Sequence, residues 1–276
     1  MAQVDRTLAR GEFYGDVARS LRVADAQLSL VTHPHPREVP LHQHEAAYLC
    51  LLLDGSYVET YDGVSIAYRP FTMAFHPPGY EHSDSIGERG AAFFLIELGD
   101  QWIERVAGVV DLRDVKVELR GNDLVWLAMR IFREFNDFDQ ESAVHVESLL
   151  FELVAGAARL PDKGVDDSGW LRRATDLLDE RFDESVTVAQ IAAAAGVHAV
   201  TLARGFRTVY QQTVSEYVNR QRIRHACERI LRDEPIVSVS AACGFIDQSY
   251  FTKVFKSITG TTPGAFRSAV RTAIYP

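Results

Sequence analysis

Cysteine is scarce in this chain, and long apolar runs are missing. The three cysteines, Cys50, Cys227 and Cys243, have a spacing that fits neither a disulfide framework nor a metal-binding motif, so we expect them in the core. The longest apolar run, 46–53, is well short of the ~18 residues that a membrane-spanning helix needs. The N-terminal segment carries acidic residues where a signal peptide would be apolar. These absences predict a cytoplasmic protein with no membrane partner.

Negative charge dominates the chain, but it is unevenly distributed. The formal net charge at pH 7 is −9 over 276 residues. From Ser168 onward, 14 Lys and Arg outnumber 10 Asp and Glu, which gives +4 and leaves −13 for the preceding residues. The length suits two domains, each able to bury its own core. A basic C-terminal module attached to an acidic N-terminal one directs a polyanion toward the C-terminal module.

Two helix-glycine-helix patterns lie in the last hundred or so residues. The first, about 188–209, has a short apolar helix closed by Gly196, and the second, about 236–258, has one closed by Gly244. In each pattern the following helix keeps one apolar edge and exposes a polar one, as the second helix of a helix-turn-helix does. A helix that opens with a capping box at Thr213 joins the two units. Two such patterns in one domain are far more specific than one.

Sequence-specific binding of double-stranded promoter DNA is the function that these patterns predict. The outward positions of the two second helices are those that enter the major groove. They are Ala199, Val200, Thr201, Arg204, Gln248, Ser249, Thr252 and Lys253. The first group is mostly apolar, which favours contact with thymine methyl groups, whereas the second group can bind base edges and phosphates. We therefore expect the second unit to anchor the protein and the first to add a narrower sequence preference.

The C-terminal sequence resembles the DNA-binding domain of AraC/XylS-family transcriptional regulators. The matching segments are ACGFIDQSYFTKVFK at 242–256 and GTTPGAFR at 260–267, within a resemblance that covers about a hundred residues. Two departures lie in the first unit. His198 stands where the family usually has a Ser or Thr N-cap, and Gly205 lies inside the first recognition helix, at a cost of up to ~1 kcal/mol. The resemblance implies a transcriptional regulator rather than an enzyme, with RNA polymerase as a partner if it is an activator.

The N-terminal module has the pattern of an all-β domain followed by two helices. Runs rich in β-branched and aromatic residues occur at 27–31, 48–53, 56–61 and 91–96, with turn signals at 54–55, 62–63 and 77–79. Many short strands at regular spacing predict a small barrel or sandwich. Residues 122–158 change to helical periodicity and predict an antiparallel helix pair. This pair either caps the barrel or forms the interface of a homodimer, which we expect the protein to be.

Histidines crowd into the same module, and they are His33, His35, His42, His44, His76 and His82. The spacing of His42-x-His44, Tyr48 and the later His82 is similar to the two cupin motifs. In catalytic cupins, His-x-His, a glutamate and a distant histidine converge on one metal. Here Tyr48 occupies the glutamate position, which removes the anionic ligand that iron or manganese sites of this type favour. Three imidazoles remain sufficient for zinc.

Three interpretations of the histidines stay open. The first is a cupin-like barrel without metal or other cofactor, whose interior binds a small effector of unknown identity. Its predicted lining residues are His42, His44, Tyr48, Phe75, His82 and Phe94. The second is a metal held by His42, His44 and His82, and the third is a set of ordinary strand and loop histidines. The effector pocket agrees with an effector-responsive regulator, whereas the metal allows a metal-dependent cupin enzyme with a DNA-binding tail; a non-sensing architectural DNA protein is a third possibility.

The fold class predicted from these patterns is α+β with two domains. An N-terminal cupin-like β-barrel sensor occupies 1–120 and carries a helical pair at 121–160. Residues 161–168 read as a polar linker. An all-α DNA-binding domain, with two helix-turn-helix motifs joined by a linker helix, occupies 169–272.

Overall fold

The computed structural model describes the residues 6–106, 117–120, 123–157 and 169–274. The chain divides into two compact units, Met1–Ala158 with Ser268–Pro276, and Arg159–Arg267. In the described residues, the first unit contains the strands, three whole helices and the second half of the last helix, and the second unit is helical, so the class is α+β. The predicted linker at 161–168 lies outside the described residues. None of the described helices is long and apolar enough to cross a membrane.

One mixed sheet holds the strands of the first unit. They are β1 (Arg6–Leu8), β2 (Asp16–Val23), β3 (Ala26–His33), β4 (Arg37–His44), β5 (Ala47–Tyr61), β6 (Val64–Tyr68), β7 (Thr72–His76), β8 (His82–Leu98) and β9 (Val117–Arg120). The order is β1-β4-β8-β5-β7-β9, with β3 also on β8, β2 on β3 and β6 on β5. β1 runs parallel to β4, and the other pairs are antiparallel. β8 therefore has β5 along one edge, and β4 and then β3 along the other.

The Asp-Gly signal at 54–55 is not a turn, which corrects the sequence interpretation of two separate strands. β5 continues through it, with register shifts against β8 on both sides. Gly55 has φ +86°, and a Cβ there would lie 2.1 Å from the carbonyl oxygen of Gly90. The glycine therefore marks a bulge where two backbones approach closely. The signals at 62–63 and 77–79 do separate strands, namely β5 from β6 and β7 from β8.

Three helices lie wholly within the first unit in the described residues: α1 (Asp100–Val106), α2 (Asp123–Asn136) and α3 (Ser142–Ala157). The predicted helix pair is α2 and α3, which pack against each other. Phe132 and Phe135 of α2 lie against Phe94 of β8, with ring centroids 5.1 and 5.3 Å apart. Leu150 and Leu153 of α3 are fully buried. The apolar stripe of α2 thus covers one face of the sheet.

Seven helices form the C-terminal region: α4 (Gly169–Glu180), α5 (Val188–Ala195), α6 (Ala199–Val209), α7 (Val214–Leu231), α8 (Ile236–Ala242), α9 (Gln248–Thr259) and α10 (Pro263–Ile274), counted over the described residues. Leu202 and Phe206 of α6 are fully buried in one cluster with Ile191 and Ala195 of α5, as their spacing predicts. The three cysteines are free and buried. The apolar periodicity therefore decides which face of each helix points inward.

Local capping signals set the helix ends. Thr187 and Thr213 each form a complete capping box, and their hydroxyls accept from the third backbone N–H of α5 and α7 at 3.3 and 3.2 Å. Gly196 ends α5 in the left-handed conformation with φ +76°, which favours glycine because it has no Cβ. Both ends of α5 and the start of α7 therefore lie where the sequence predicts them.

Candidate functional site

The first helix pair, α5 and α6, tolerates its unusual N-cap. His198 precedes α6, and its Nδ1 accepts a hydrogen bond from the backbone N–H of Val200 at 3.3 Å. An imidazole nitrogen thus does what a serine or threonine oxygen does at this position. Since Nδ1 is the acceptor, the neutral ring carries its proton on Nε2. The cap is preserved although the residue type is not.

Gly205 has a packing function in α6. A Cβ at this position would lie 2.4 Å from Cη2 of Trp170, whose ring belongs to α4. The glycine therefore allows the indole to pack directly on the backbone of α6. The cost of a helical glycine is offset by this close contact between α4 and α6.

The second helix pair, α8 and α9, is held by contacts with the segment that follows α4. Gly244 has φ +73°, and a Cβ there would lie 2.2 Å from the carbonyl oxygen of Asp183. Arg222 of α7 donates to the carbonyl oxygens of Phe182 at 2.7 Å and Glu184 at 3.0 Å. Asp247 caps α9 by accepting from the N–H of Tyr250 at 2.7 Å. The turn and the start of α9 are thereby fixed.

Most of the residues predicted to contact DNA are exposed. They are Val200, Thr201, Arg204, Gln248, Ser249 and Lys253. Ala199 is half-buried against the apolar cluster of α4 to α7, so it lies at the edge of the predicted reading face. Thr252 is also half-buried, and its hydroxyl donates to the carbonyl oxygen of Gln248 at 2.8 Å. Six of the eight predicted residues are thus exposed.

A cavity opens within the sheet of the first unit. The space between its lining residues is about 510 Å³, which includes open solvent at its mouth. Four of the six predicted lining residues face it, namely His42, His44, Tyr48 and His82. Its apolar wall includes Val31, Val39, Ile86, Phe93 and Leu95. The cavity therefore combines an apolar wall with a histidine-rich polar one, as small-ligand sites commonly do.

Phe75 and Phe94 do not line the cavity, which corrects the predicted set. Phe94 is between Phe93 and Leu95, which do line it, and Phe94 packs on α2 instead. Phe75 precedes His76, another lining residue. Successive side chains of a strand point to opposite faces, so neighbours of lining residues must point away.

His42, His44 and His82 converge inside the cavity, and all three are buried. One nitrogen from each lies within 4.8 Å of the others. Nδ1 of His42 lies 2.9 Å from the carbonyl oxygen of Pro40, and Nδ1 of His82 lies 3.1 Å from that of Tyr80. A carbonyl only accepts, so in both rings Nδ1 carries the proton and Nε2 keeps its lone pair. This is the arrangement in which histidine binds metals.

Burial keeps these imidazoles neutral. Desolvation, reinforced by the neighbouring histidines, lowers the pKa of His44 to about 2 and that of His82 to about 3. Desolvation also lowers the pKa of His42. The hydroxyl of Tyr48 lies 3.2 Å from Nε2 of His82 and must be the donor. Tyr48, whose pKa burial raises well above its usual value, thus acts as a phenol where the cupin motif has a carboxylate.

Glu59, His76 and Asp84 line the cavity as well, although the sequence interpretation assigned them no role there. Nε2 of His76 donates to Glu59 at 2.9 Å, and the hydroxyl of Tyr80 donates to the other carboxylate oxygen at 3.1 Å. Desolvation opposes ionisation of Glu59, but the charge and hydrogen bond of His76 outweigh it and hold the pKa at about 2. Desolvation and the charge of Glu59 raise the pKa of Asp84 well above its usual value.

Comparison with known proteins identifies the C-terminal region. A family model described as a helix-turn-helix domain matches residues 191–269. The regulatory protein SoxS of Salmonella typhimurium is 31% identical over 91 residues, which are 33% of this chain and 85% of SoxS. A putative AraC-like transcription regulator of Streptomyces antibioticus is 28% identical over 153 residues, covering 51% of this chain and 50% of that protein. The chain belongs to the AraC family of transcriptional regulators. The matched residues 191–269 include most of α5 and all of α6, α7, α8 and α9.

Outside the DNA-binding region, the match of this AraC-family chain to known proteins is weaker. The chain spans only about half of the length of the Streptomyces relative. The crystal structure of ToxT from Vibrio cholerae aligns with 89% of this chain and 98% of its own, at 15% identity and a TM-score of 0.40. What the first unit binds is thus a question for its own residues.

Proposed function

We propose that this AraC-family regulator reads promoter DNA with both helix-turn-helix units and changes its DNA binding when a small effector occupies the cavity. The DNA-binding part of this proposal rests on the two faces of α9. Phe251 and Phe255 bury one edge of that helix completely, while Gln248, Ser249 and Lys253 remain exposed. In this proposal, 1–120 is a cupin-like sensor domain and 169–272 is the DNA-binding domain.

Binding of the full-length protein to a DNA fragment containing its target site is expected to be sequence-specific and to weaken steeply with salt, because phosphate contacts release counterions. Lys253→Ala should weaken binding to all sequences and lower the slope of log K against log salt by about 1. Gln248→Ala should instead change the preferred base at one position. Fluorescence anisotropy across a salt series measures both effects.

The matched control is Arg232→Ala, which removes the same charge from the exposed C-cap of α7. It should leave the salt slope nearly unchanged. A larger loss of affinity from Arg204→Ala than from Lys253→Ala would reverse the proposed ranking of the two units. Binding that ignores both salt and sequence would contradict the DNA-binding proposal itself.

Buried polar atoms support an effector in the cavity. Nδ1 of His44 and Oδ1 of Asp84 are buried without a hydrogen-bond partner in the described residues. A buried polar group without a partner costs about 1–3 kcal/mol, so a ligand that supplies hydrogen bonds here would gain affinity. Phe93 and Leu95 would contact its apolar part. The effector class that fits is a small amphipathic molecule.

A bound metal is the second candidate, and the convergence of His42, His44 and His82 favours it. Three neutral imidazoles suit zinc, and zinc bound there would supply a Lewis acid in the cavity. The hydroxyl of Tyr48 on Nε2 of His82 favours the effector instead, because it occupies the lone pair that a metal would need. Stoichiometric iron or manganese would favour the rival proposal, a cupin enzyme with a DNA-binding tail.

A screen of small metabolites against the full-length protein is expected to yield a compound that raises the melting temperature and alters DNA affinity. Elemental analysis of the same preparation and melting with and without a chelator test the metal candidate. The variant His44→Phe should abolish stabilisation by the compound while leaving the DNA affinity of the ligand-free protein unchanged. Stoichiometric zinc, with a melting temperature that falls on chelation, would replace the organic effector by the metal.

A homodimer completes the proposal, with RNA polymerase as a further partner if the protein is an activator. Support for the dimer comes from α3, on which Val144 is 70% exposed and Phe151 is 44% exposed. These residues are seven apart and share one helical face. The interface that we propose is therefore the segment 121–160.

A further inference from the structure

Ile246 is the most exposed large apolar side chain that the structure describes. It is 94% exposed and lies in the turn between α8 and α9. Val200, the second residue of α6, is 69% exposed. Transfer of an aliphatic side chain out of water lowers the free energy. Burial of these exposed side chains against a partner would therefore favour binding. Each helix-turn-helix unit thus presents one exposed aliphatic residue near the start of its second helix.

The backbone on both sides of Ile246 is fixed. Phe245 before it is buried, with its ring 5.1 Å from that of Phe251. Asp247 after it is the N-cap of α9. The side chain between these two anchors is directed into solvent. In the first helix pair, α5 and α6, the backbone N–H of Val200 is held by the His198 cap. Both aliphatic side chains are therefore presented by fixed backbone.

The start of the second helix is where a helix-turn-helix reads base edges. In the major groove only thymine presents an apolar group, the methyl on its C5. The exposed neighbours of Ile246 in α9 are Gln248, Ser249 and Lys253, which suit base edges and phosphates rather than an apolar protein surface. An exposed isoleucine in this setting fits the DNA groove.

We propose that Ile246 and Val200 are specificity-determining residues that each contact a thymine methyl group, so that the binding site needs a thymine under each recognition helix. The inference rests on the proposed DNA-binding function and adds Ile246 to its reading residues. It also makes contact with thymine methyl groups a property of both helix-turn-helix units instead of the first helix-turn-helix alone.

The test begins with selection of binding sites from random duplex DNA by the full-length protein. Each thymine of the selected site is then replaced singly by deoxyuridine, which pairs identically but lacks the methyl. We expect a loss of about fourfold in affinity at one position in each half of the site, from the free energy of burying one methyl. Ile246→Ala should abolish the loss in one half, and Val200→Ala should abolish it in the other.

Val237→Ala is the matched control, because Val237 is 64% exposed but lies on α8, the first helix of its pair. It should keep the wild-type sensitivity to deoxyuridine in both halves. Methyl sensitivity that survives in Ile246→Ala would overturn the role of Ile246, as would an Ile246→Ala protein that binds DNA normally but fails to activate transcription. If the selection yields no preferred sequence, the proposed function itself fails; if it yields one that deoxyuridine does not weaken, only this inference fails.

Discussion

Replacing His76 with leucine is expected to lower the free energy of unfolding by about 3–5 kcal/mol, because it leaves the carboxylate of Glu59 buried without its partner. Both side chains are 3% exposed, and they are joined by a hydrogen bond of 2.9 Å. Among the described residues, the hydroxyl of Tyr80 would be the remaining donor to the carboxylate. Urea unfolding of the full-length protein at neutral pH measures the loss.

The double variant His76→Leu with Glu59→Gln is the control, since it removes the buried charge along with its partner. It should recover most of the lost stability. The deficit of the single variant should also depend on pH. Without His76, desolvation raises the pKa of Glu59 above its unfolded value, so stability falls as pH rises, and the deficit should be smaller at about pH 5 than at about pH 8. A deficit independent of pH would show that the charge of Glu59 is not its cause.

Gly244→Ala is expected to destabilise the second helix-turn-helix by about 3 kcal/mol or more and to abolish specific DNA binding. Two costs add at this position. A left-handed alanine is strained by about 1–2 kcal/mol, and its Cβ would lie 2.2 Å from the backbone oxygen of Asp183, which cannot rotate away. Thermal unfolding followed by circular dichroism, together with a DNA-binding titration, measures both effects.

Substitutions at two other glycines separate the backbone strain from the steric contact. Gly196→Ala shares the left-handed conformation, but the nearest atom to its Cβ would be a guanidinium nitrogen of Arg173 at 3.9 Å. The free energy of unfolding should therefore fall only by the cost of placing alanine in the left-handed conformation. Gly264→Ala, in α10 with nothing within 4 Å of the new Cβ, should be neutral or stabilising by up to about 1 kcal/mol. Equal losses at Gly244 and Gly196 would mean that the contact with Asp183 contributes nothing.

The helices of the C-terminal region are predictable because their signals are local. Thr187, Gly196 and Thr213 act on backbone groups within a few residues, so the chain itself contains both partners of each cap. The packing of Trp170 against Gly205 is different, because it joins residues of α4 and α6 that no periodicity connects. From the sequence, Gly205 looks like a defect in the helix, whereas in the fold it is the contact surface for an indole.

The cavity was predictable only in part, because strand alternation does not pass unchanged through a bulge. Along β5, Tyr48 and Cys50 line the cavity at even positions, whereas Tyr57 and Glu59 line it at odd ones. The register shifts around 54–55 change the parity between them. Counting alternate residues from Tyr48 therefore puts Glu59 on the wrong face. The sequence carries no signal for that change beyond Gly55 itself, whose Asp-Gly context is typical of a turn.

The two faces of β8 have different neighbours. Phe93 and Leu95 line the cavity, while Phe94 between them packs against Phe132 and Phe135 of α2. The side chains on both faces of the strand share one backbone, and a close-packed interior transmits strain. In the proposed function, an occupant that displaces Phe93 or Leu95 would therefore also displace Phe94 and the α2 side chains packed on it, so the size of the effector would affect the position of a helix.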